Sequence, residues 1–281
     1  MILLSDFDGV FTEPQAEAAS VTAYIEAQVA DRAGEAGLAE LEEARAAVRA
    51  EPTAHGWFYD GVLSAYADED PYIFNNATAA AIYAADGALA AALREGGFET
   101  HDAFSMACFT AGTEAWRAAN STHLLPEAVE ALERFLAKGW EVVVVSNSSP
   151  ERVASILSER GISEASHPGL SLKGGALKFG ISPIPQFGVP QSAAFGAREV
   201  RLDRGHYLNI IDAVKPHAVI GDVLSLDLAL PAQIRDVIPE AKELQVFLKQ
   251  NDYTPAWTLE ACEARQITPV ATLLELAERL L

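Results

Sequence analysis

MILLSDFDGVFT, residues 1–12, joins a short apolar run to two carboxylates and a glycine. A continuous apolar run such as Ile2–Leu4 is typical of a strand in a parallel sheet that is covered on both faces. Side chains at i and i+2 point to the same side of an extended chain, so Asp6 and Asp8 leave the carboxyl end of this strand together. Ligands bind at that end of the strands in an open α/β sheet. The pattern indicates a ligand site that a cation would stabilise, although an acidic turn after a strand has the same composition.

Two further apolar runs end in polar residues that suit a ligand site. EVVVVSNSSP, residues 141–150, is a β-branched run followed by hydroxyl and amide side chains, and a helical pattern begins directly after it. AVIGDVLSLD, residues 218–227, ends in two acids, Asp222 and Asp227. Three predicted strand ends therefore present Asp-x-Asp, Ser and Asp…Asp, in that order along the chain.

Together, the segments DFDGVFT, VVVVSNSS and VIGDVLSLD resemble motifs I, II and IV of the haloacid dehalogenase superfamily. The resemblance covers both ends of the chain, residues 1–13 and about 120–281. It implies an α/β fold with a doubly wound, mainly parallel, Rossmann-like sheet. It also implies a cap domain, inserted after motif I, that excludes water and selects substrates. We therefore expect a core of residues 1–13 and 121–281 and an all-helical cap of residues 14–120.

The same resemblance implies roles for individual residues. Asp6 is expected to be the nucleophile that forms an aspartyl-phosphate, and Asp8 the general acid and then the general base. Ser146 is expected to donate a hydrogen bond to a phosphoryl oxygen, with Gly9 and Asn147 beside the substrate. A serine in front of a helix can also serve as a simple N-terminal hydrogen-bond partner, which is the alternative for Ser146.

Mg²⁺ is the expected cofactor, because it would neutralise the repulsion between a carboxylate and a phosphate dianion. By the same resemblance, its ligands would be the Asp6 carboxylate, the backbone carbonyl of Asp8 and the Asp222 carboxylate. Asp227 would lie behind these ligands and orient Asp222 or a water molecule.

The superfamily also has a basic residue, upstream of the last acidic motif, that stabilises the nucleophile and the transferred phosphoryl group. We assign this role to Arg204, which lies just before a predicted helix and could contact phosphate through two N–H groups. Arg201 is the nearest alternative. Lys173 and Lys178 stay open as well; they lie in LSLKGGALKFG, residues 170–180, whose alternation across a Gly-Gly pair predicts a hairpin.

Periodicity predicts different structures for the two parts of the chain. Between residues 14 and 120 no strand pattern is evident, and helical spacing predicts helices over 16–30, 38–50, 77–93 and 104–119. After residue 126 helices and strands alternate, as in an α/β fold. We expect a Pro- and Gly-rich surface loop after residue 180, and a closing helix capped by Thr268.

Composition argues against several partners. The chain has 40 acidic and 20 basic residues and a formal net charge of −20, which argues against binding to nucleic acid or to anionic membranes. No apolar run reaches the length of a membrane span, and the N-terminus lacks a signal-peptide pattern, so we expect a cytoplasmic protein. Cys108 and Cys262 have no metal-ligand spacing, and we interpret both as structural.

The sequence therefore predicts a Mg²⁺-dependent phosphatase that hydrolyses a small phosphomonoester, a phosphorylated metabolite, through an aspartyl-phosphate. Within the superfamily, Asp8 favours phosphoryl chemistry over cleavage of carbon–halogen bonds or phosphonates. Two other classes stay open: a phosphotransferase or mutase that uses the same core, and a non-catalytic binding protein built on the same fold.

Overall fold

A computed structural model describes residues 1–120, 123–182 and 188–281. The chain divides into two compact units: a core unit of residues 1–13, 59–64 and 122–281, and an insertion unit of residues 14–58 and 65–121. The domain boundary that we expect after residue 120 adjoins residues 121–122, which lie outside the described residues. Part of the predicted Pro- and Gly-rich loop, residues 183–187, also lies outside them.

The secondary structure of the described residues alternates between strands and helices in the core unit and is mostly helical in the insertion unit. The strands are β1 Ile2–Ser5, β2 Gly56–Tyr59, β3 Val62–Tyr66, β4 Glu141–Val145, β5 Leu170–Lys173, β6 Ser192–Phe195, β7 Arg198–Arg201, β8 Ala218–Gly221, β9 Gln245–Lys249 and β10 Thr268–Val270. The helices are α1 Pro14–Ala50, α2 Pro71–Ala85, α3 Ala88–Glu95, α4 His101–Ala119, α5 Pro126–Ala137, α6 Pro150–Ser158, α7 Gly205–Val214, α8 Ala229–Val237, α9 Ala256–Ala264 and α10 Leu273–Leu280. A π-helical turn spans Leu224–Leu228. Among the described residues, no helix is both long and apolar enough to span a bilayer.

The core unit is built on a six-stranded sheet in the order β10-β9-β8-β1-β4-β5, and every neighbouring pair is parallel. The first strand lies in the middle, where Leu4 is opposite Val143 of β4 and Val219 of β8. Parallel strands place their carboxyl ends at the same edge of the sheet, so the polar residues after β4, β1 and β8 meet there. The predicted doubly wound parallel sheet is confirmed.

The hydrophobic core anchors the loop that follows β1. Phe7 and Phe11 are fully buried, and their rings stack with centroids 5.8 Å apart. They pack in one apolar cluster with side chains of β1, β4, α5, α6 and α10. Burial of a phenylalanine stabilises the fold by roughly 2 kcal/mol. The residues between and after the two acids therefore hold this loop in place.

The segment 56–66 forms a hairpin, whereas we predicted no strand in residues 14–120. Strands β2 and β3 pair with each other and are connected by a turn at Asp60 and Gly61. Both turn residues are in the left-handed region, with φ of 48° and 76°. An Asp-Gly turn of this kind matches the twist of a hairpin. The Asp-Gly pair was the sequence signal for this hairpin turn. We did not recognise it among the surrounding aromatic residues.

Three other predicted elements differ from the structure. Residues 170–173 form the edge strand β5, parallel to β4, and not one arm of a hairpin. Thr268 begins strand β10, and the closing helix is capped by Thr272, whose hydroxyl accepts a hydrogen bond from the Glu275 N–H at 3.0 Å. The helix predicted over 77–93 is two helices, α2 and α3. The two helices predicted over 16–30 and 38–50 are confirmed, because non-helical φ/ψ values at Gly34 divide α1 into two helical parts. Strands β5 and β10 form by pairing with β4 and β9, which a local pattern could not show.

Candidate active site

Asp6 and Asp8 lie directly after β1, at the carboxyl edge of the sheet. The Asp6 N–H donates to the Ile220 carbonyl at 2.9 Å, so the main chain at Asp6 is still held by β8. The Asp6 side chain is 11% exposed and that of Asp8 is 26% exposed. The nucleophile position is therefore more enclosed than the acid–base position.

Lys178 bridges two of the predicted site carboxylates. Its Nζ lies 2.6 Å from Asp6 Oδ1 and 2.6 Å from Asp227 Oδ1. All three side chains are nearly inaccessible to solvent. Lys178, one of the alternatives left open above, thus lies where the basic residue of the site was expected.

Lys178 lies in the loop after β5, and hydrogen bonds to the loop after β4 hold that loop in place. The Gly175 N–H donates to the Ser148 carbonyl at 2.8 Å, and the Ala176 N–H donates to the Ser146 carbonyl at 2.9 Å. The Lys178 N–H donates to Asn147 Oδ1 at 2.7 Å. In this structure, the Asn147 side chain supports the lysine loop, a contact that the predicted role beside the substrate did not include.

Lys178 is the basic residue seen to pair with Asp6, whereas we assigned that role to Arg204. The buried guanidinium of Arg204 donates to the Ser64 carbonyl at 2.5 Å, to Ser64 Oγ at 2.8 Å and to the Lys178 carbonyl at 2.6 Å. Arg201 pairs with Asp203, and the Lys173 side chain is exposed on the edge strand. Sequence distance from the last acidic motif favoured Arg204, but chain proximity does not determine which cation reaches Asp6.

Asp8 is held by residues of the loop and helix after β4. Its Oδ1 accepts from Arg152 Nη1 at 2.8 Å, and its Oδ2 accepts from Ser148 Oγ at 2.9 Å and from Ser146 Oγ at 3.3 Å. Burial raises the pKa of Asp8, but the charge and hydrogen bond of Arg152 and the hydrogen bond of Ser148 outweigh it and lower the pKa below its ordinary value. Sequence reasoning missed Arg152 and Ser148; their i, i+4 spacing at the start of α6 was the only available signal.

Three buried carboxylates converge on one small region. Asp6, Asp222 and Asp227 each offer an oxygen, and these oxygens lie within 4.8 Å of one another. Burial, followed by the nearby charge of Asp227, raises the pKa of Asp6 to about 8 against the opposing effect of Lys178. The cluster thus combines three carboxylates with one ammonium, that of Lys178.

Gly9 allows the loop after β1 to approach Asp222. Its φ is +79°, and a Cβ atom at this position would lie 2.0 Å from Asp222 Oδ2. No other residue type fits this contact, because both the backbone conformation and the available space require glycine. The glycine that we placed beside the substrate thus also adjoins the last acidic motif.

Tyr253 and Asn251, which the sequence analysis missed, contact the same carboxylate. The Tyr253 hydroxyl donates to Asp222 Oδ2 at 2.5 Å, and Asn251 Nδ2 lies 3.4 Å from the same oxygen. Both residues belong to the turn after β9. A Tyr and an Asn after a strand carry no recognisable motif, so the sequence offered no signal for either.

Neither a family model nor a curated protein matches this chain. Several solved structures, however, are similar to this chain. A hydrolase of the haloacid dehalogenase-like family from Streptococcus pneumoniae is 10% identical, with a TM-score of 0.49, and covers 100% of this chain and 98% of its own. A magnesium-bound putative HAD-hydrolase from Bacillus subtilis is 14% identical, with a TM-score of 0.48 and coverage of 99% and 97%. A 2-haloacid dehalogenase from Pseudomonas syringae is 14% identical, with a TM-score of 0.44 and coverage of 99% and 97%.

The chain's own geometry agrees with the resemblance found in its motifs. Asp6 and Asp8 follow the central strand, Ser146 follows the strand on one side of it, and Asp222 follows the strand on the other side. The insertion unit begins at residue 14, soon after the first of these strands. This sheet, this insertion and these residues at one edge are the arrangement that the motif resemblance to the haloacid dehalogenase superfamily implies.

Proposed function

We propose that this protein is a Mg²⁺-dependent phosphatase that hydrolyses a small phosphomonoester through an aspartyl-phosphate on Asp6. The proposal rests on one observation: the two carboxylates at the end of β1 have different hydrogen-bonding partners. Asp6 lies against Lys178, which is 2.6 Å away, while Asp8 lies against Arg152 and Ser148. A nucleophile and an acid–base group need such separate environments.

The donor set of the cluster suits Mg²⁺. Asp6, Asp222 and Asp227 provide carboxylate oxygens within 4.8 Å of one another, and hard oxygen ligands are those that Mg²⁺ prefers. When all three carboxylates are ionised, they and the Lys178 ammonium leave two negative charges, which a divalent cation would balance. We propose that Asp6 and Asp222 bind the ion together with the Asp8 carbonyl, and that Asp227 supports them through Lys178. When bound, the ion would neutralise charge on the phosphoryl group.

In the proposed reaction, an Asp6 carboxylate oxygen attacks phosphorus, and the bond from phosphorus to the ester oxygen breaks. The leaving alcohol takes a proton from the protonated form of Asp8, which the lowered pKa makes the minor form at neutral pH, and Asp8 is left as a carboxylate. Asp8 then accepts a proton from a water molecule that attacks the aspartyl-phosphate, releasing inorganic phosphate and restoring Asp6. The ion pair with Arg152 favours the carboxylate form of Asp8, which this second step requires.

The test is phosphate release from p-nitrophenyl phosphate, with Mg²⁺ and with a chelator, by the wild type and by Asp6→Asn. We expect release that the chelator abolishes and that Asp6→Asn lacks. Asp212→Asn, an exposed carboxylate on α7, is the matched control and should keep full activity. Activity retained in Asp6→Asn would contradict the nucleophile assignment.

A second measurement separates hydrolysis from the alternatives. Asp8→Asn should accumulate a phosphorylated Asp6, detected as a phosphoryl adduct by mass spectrometry of acid-quenched protein. If the adduct of the wild type loses its phosphoryl group only to an added sugar acceptor, as a sugar phosphate and not as free phosphate, the protein is a phosphotransferase and not a phosphatase. If it forms no adduct with any phosphorylated metabolite tested, the binding-protein alternative is favoured. The metabolite partner and the cytoplasmic location stay predictions.

A further inference from the structure

The turn after β9 carries a chain of polar side chains that leads to Asp222. Lys249 Nζ donates to Asn251 Oδ1 at 2.6 Å. Asn251 Nδ2 lies 2.8 Å from the Tyr253 hydroxyl, closer than its 3.4 Å to Asp222 Oδ2, and that hydroxyl lies 2.5 Å from Asp222 Oδ2. Lys249 is buried, and the contacts run in one continuous series from an ammonium to a carboxylate.

The direction of these hydrogen bonds follows from the chemistry of the two ends. A lysine ammonium only donates, so the Asn251 atom beside it must be the amide oxygen. The amide nitrogen then faces the Gly9 carbonyl at 3.2 Å, which only accepts. The same nitrogen donates to the Tyr253 hydroxyl, so the phenol proton is left to point at Asp222. The orientation of the amide is therefore determined at both of its ends.

We propose that Tyr253 is a positioning residue for Asp222, and that Lys249 and Asn251 act through it to orient this carboxylate for a divalent cation. The proposal rests on the proposed function, in which Asp222 is a Mg²⁺ ligand. Hydrogen bonds that run in one direction polarise one another, so the last donor in the series is a strong one. Its contact with Oδ2 limits rotation of the carboxylate. The Asn251 contact with Gly9 ties the same turn to the loop that carries Asp6 and Asp8.

The test is Mg²⁺ affinity, measured by isothermal titration calorimetry without substrate. Tyr253→Phe keeps the ring and removes only the donor, and it should weaken Mg²⁺ binding by about 10-fold or more. Tyr83→Phe is the matched control, because its hydroxyl also donates one hydrogen bond, to the Phe98 carbonyl at 2.6 Å in the insertion unit. Its Mg²⁺ affinity should equal that of the wild type.

Lys249→Met tests whether the series acts as one unit. This variant keeps the length of the side chain and removes the ammonium, and it should weaken Mg²⁺ binding less than Tyr253→Phe does. The double variant should bind no more weakly than Tyr253→Phe alone, because Lys249 acts through Tyr253. Additive losses would contradict the proposed series.

The outcomes separate this inference from the proposed function. Wild-type affinity in a folded Tyr253→Phe overturns the inference and leaves the Mg²⁺ site standing. Absence of Mg²⁺ binding in the wild type overturns both. A melting temperature of Tyr253→Phe that matches the wild type, measured in chelator, shows that the lost affinity is not a loss of fold.

Discussion

Gly9 shows how one residue controls the distance between two loops of the candidate site. A Cβ atom at this position would meet Asp222 Oδ2 at 2.0 Å and the Tyr253 hydroxyl at 2.9 Å. The DG pair in the first motif was recognisable from the sequence, and so was its place after a strand. The contact with Asp222 was not, because it joins residues more than two hundred positions apart.

We predict that Gly9→Ala lowers both Mg²⁺ affinity and phosphate release by at least about 10-fold, because it displaces an expected ligand. Gly139→Ala is the matched control, since Gly139 has a φ of +75° and open space where the Cβ atom would lie. Both variants carry the cost of a left-handed alanine, about 1 kcal/mol, but only Gly9→Ala has the steric conflict. Calorimetry and phosphate assays on both variants check this; equal activity in the two would contradict it.

Arg204 acts at the scale of elements, because it joins strand β3 at Ser64 to the loop that carries Lys178. Both of its carbonyl partners, those of Ser64 and Lys178, would be left in an enclosed region if the guanidinium were removed. Neither the hairpin nor this loop was predicted correctly from local patterns. The role of Arg204 was therefore out of reach until the tertiary contacts were known.

We expect Arg204→Lys to lower the free energy of unfolding by about 3 kcal/mol, because an ammonium cannot reproduce a forked contact to three acceptors. Urea unfolding is the measurement. Arg201→Lys, at a partly exposed ion pair, is the control and should cost less than about 1 kcal/mol. In contrast, Lys178→Met should abolish phosphate release. If Arg204→Lys is as stable as the wild type, Arg204 does not join these elements.

At the scale of the whole molecule, each unit contains one buried cysteine: Cys108 in the insertion unit and Cys262 in the core unit. Burial raises the pKa of both thiols from the ordinary value of 9.0 to about 12. In an unfolded chain these thiols ionise near pH 9, while in the folded protein they stay protonated. Their contribution to stability is therefore complete below pH 9 and decreases as the pH rises towards 12.

We predict that neither thiol reacts with iodoacetamide at pH 8.5 in the native protein, because the reactive thiolate is not formed. In increasing urea each should become labelled when its own unit unfolds, which mass spectrometry of the Cys108 and Cys262 peptides can follow separately. Two labelling midpoints would indicate that the units unfold independently. Rapid native labelling of either cysteine would contradict its burial.

The sequence by itself determined the features that depend on neighbours along the chain. Apolar runs, the polar residues that end them and their order predicted the parallel sheet and placed Asp6, Asp8, Ser146 and Asp222 at one edge, because side-chain alternation and strand polarity are local properties. Only the tertiary structure decided which cation lies beside Asp6. Lys178 is 172 positions away from Asp6. Its loop is held beside Asp6 by Asn147 and its neighbours in the loop after β4. Such a choice depends on packing between distant segments, and no spacing along the chain encodes it.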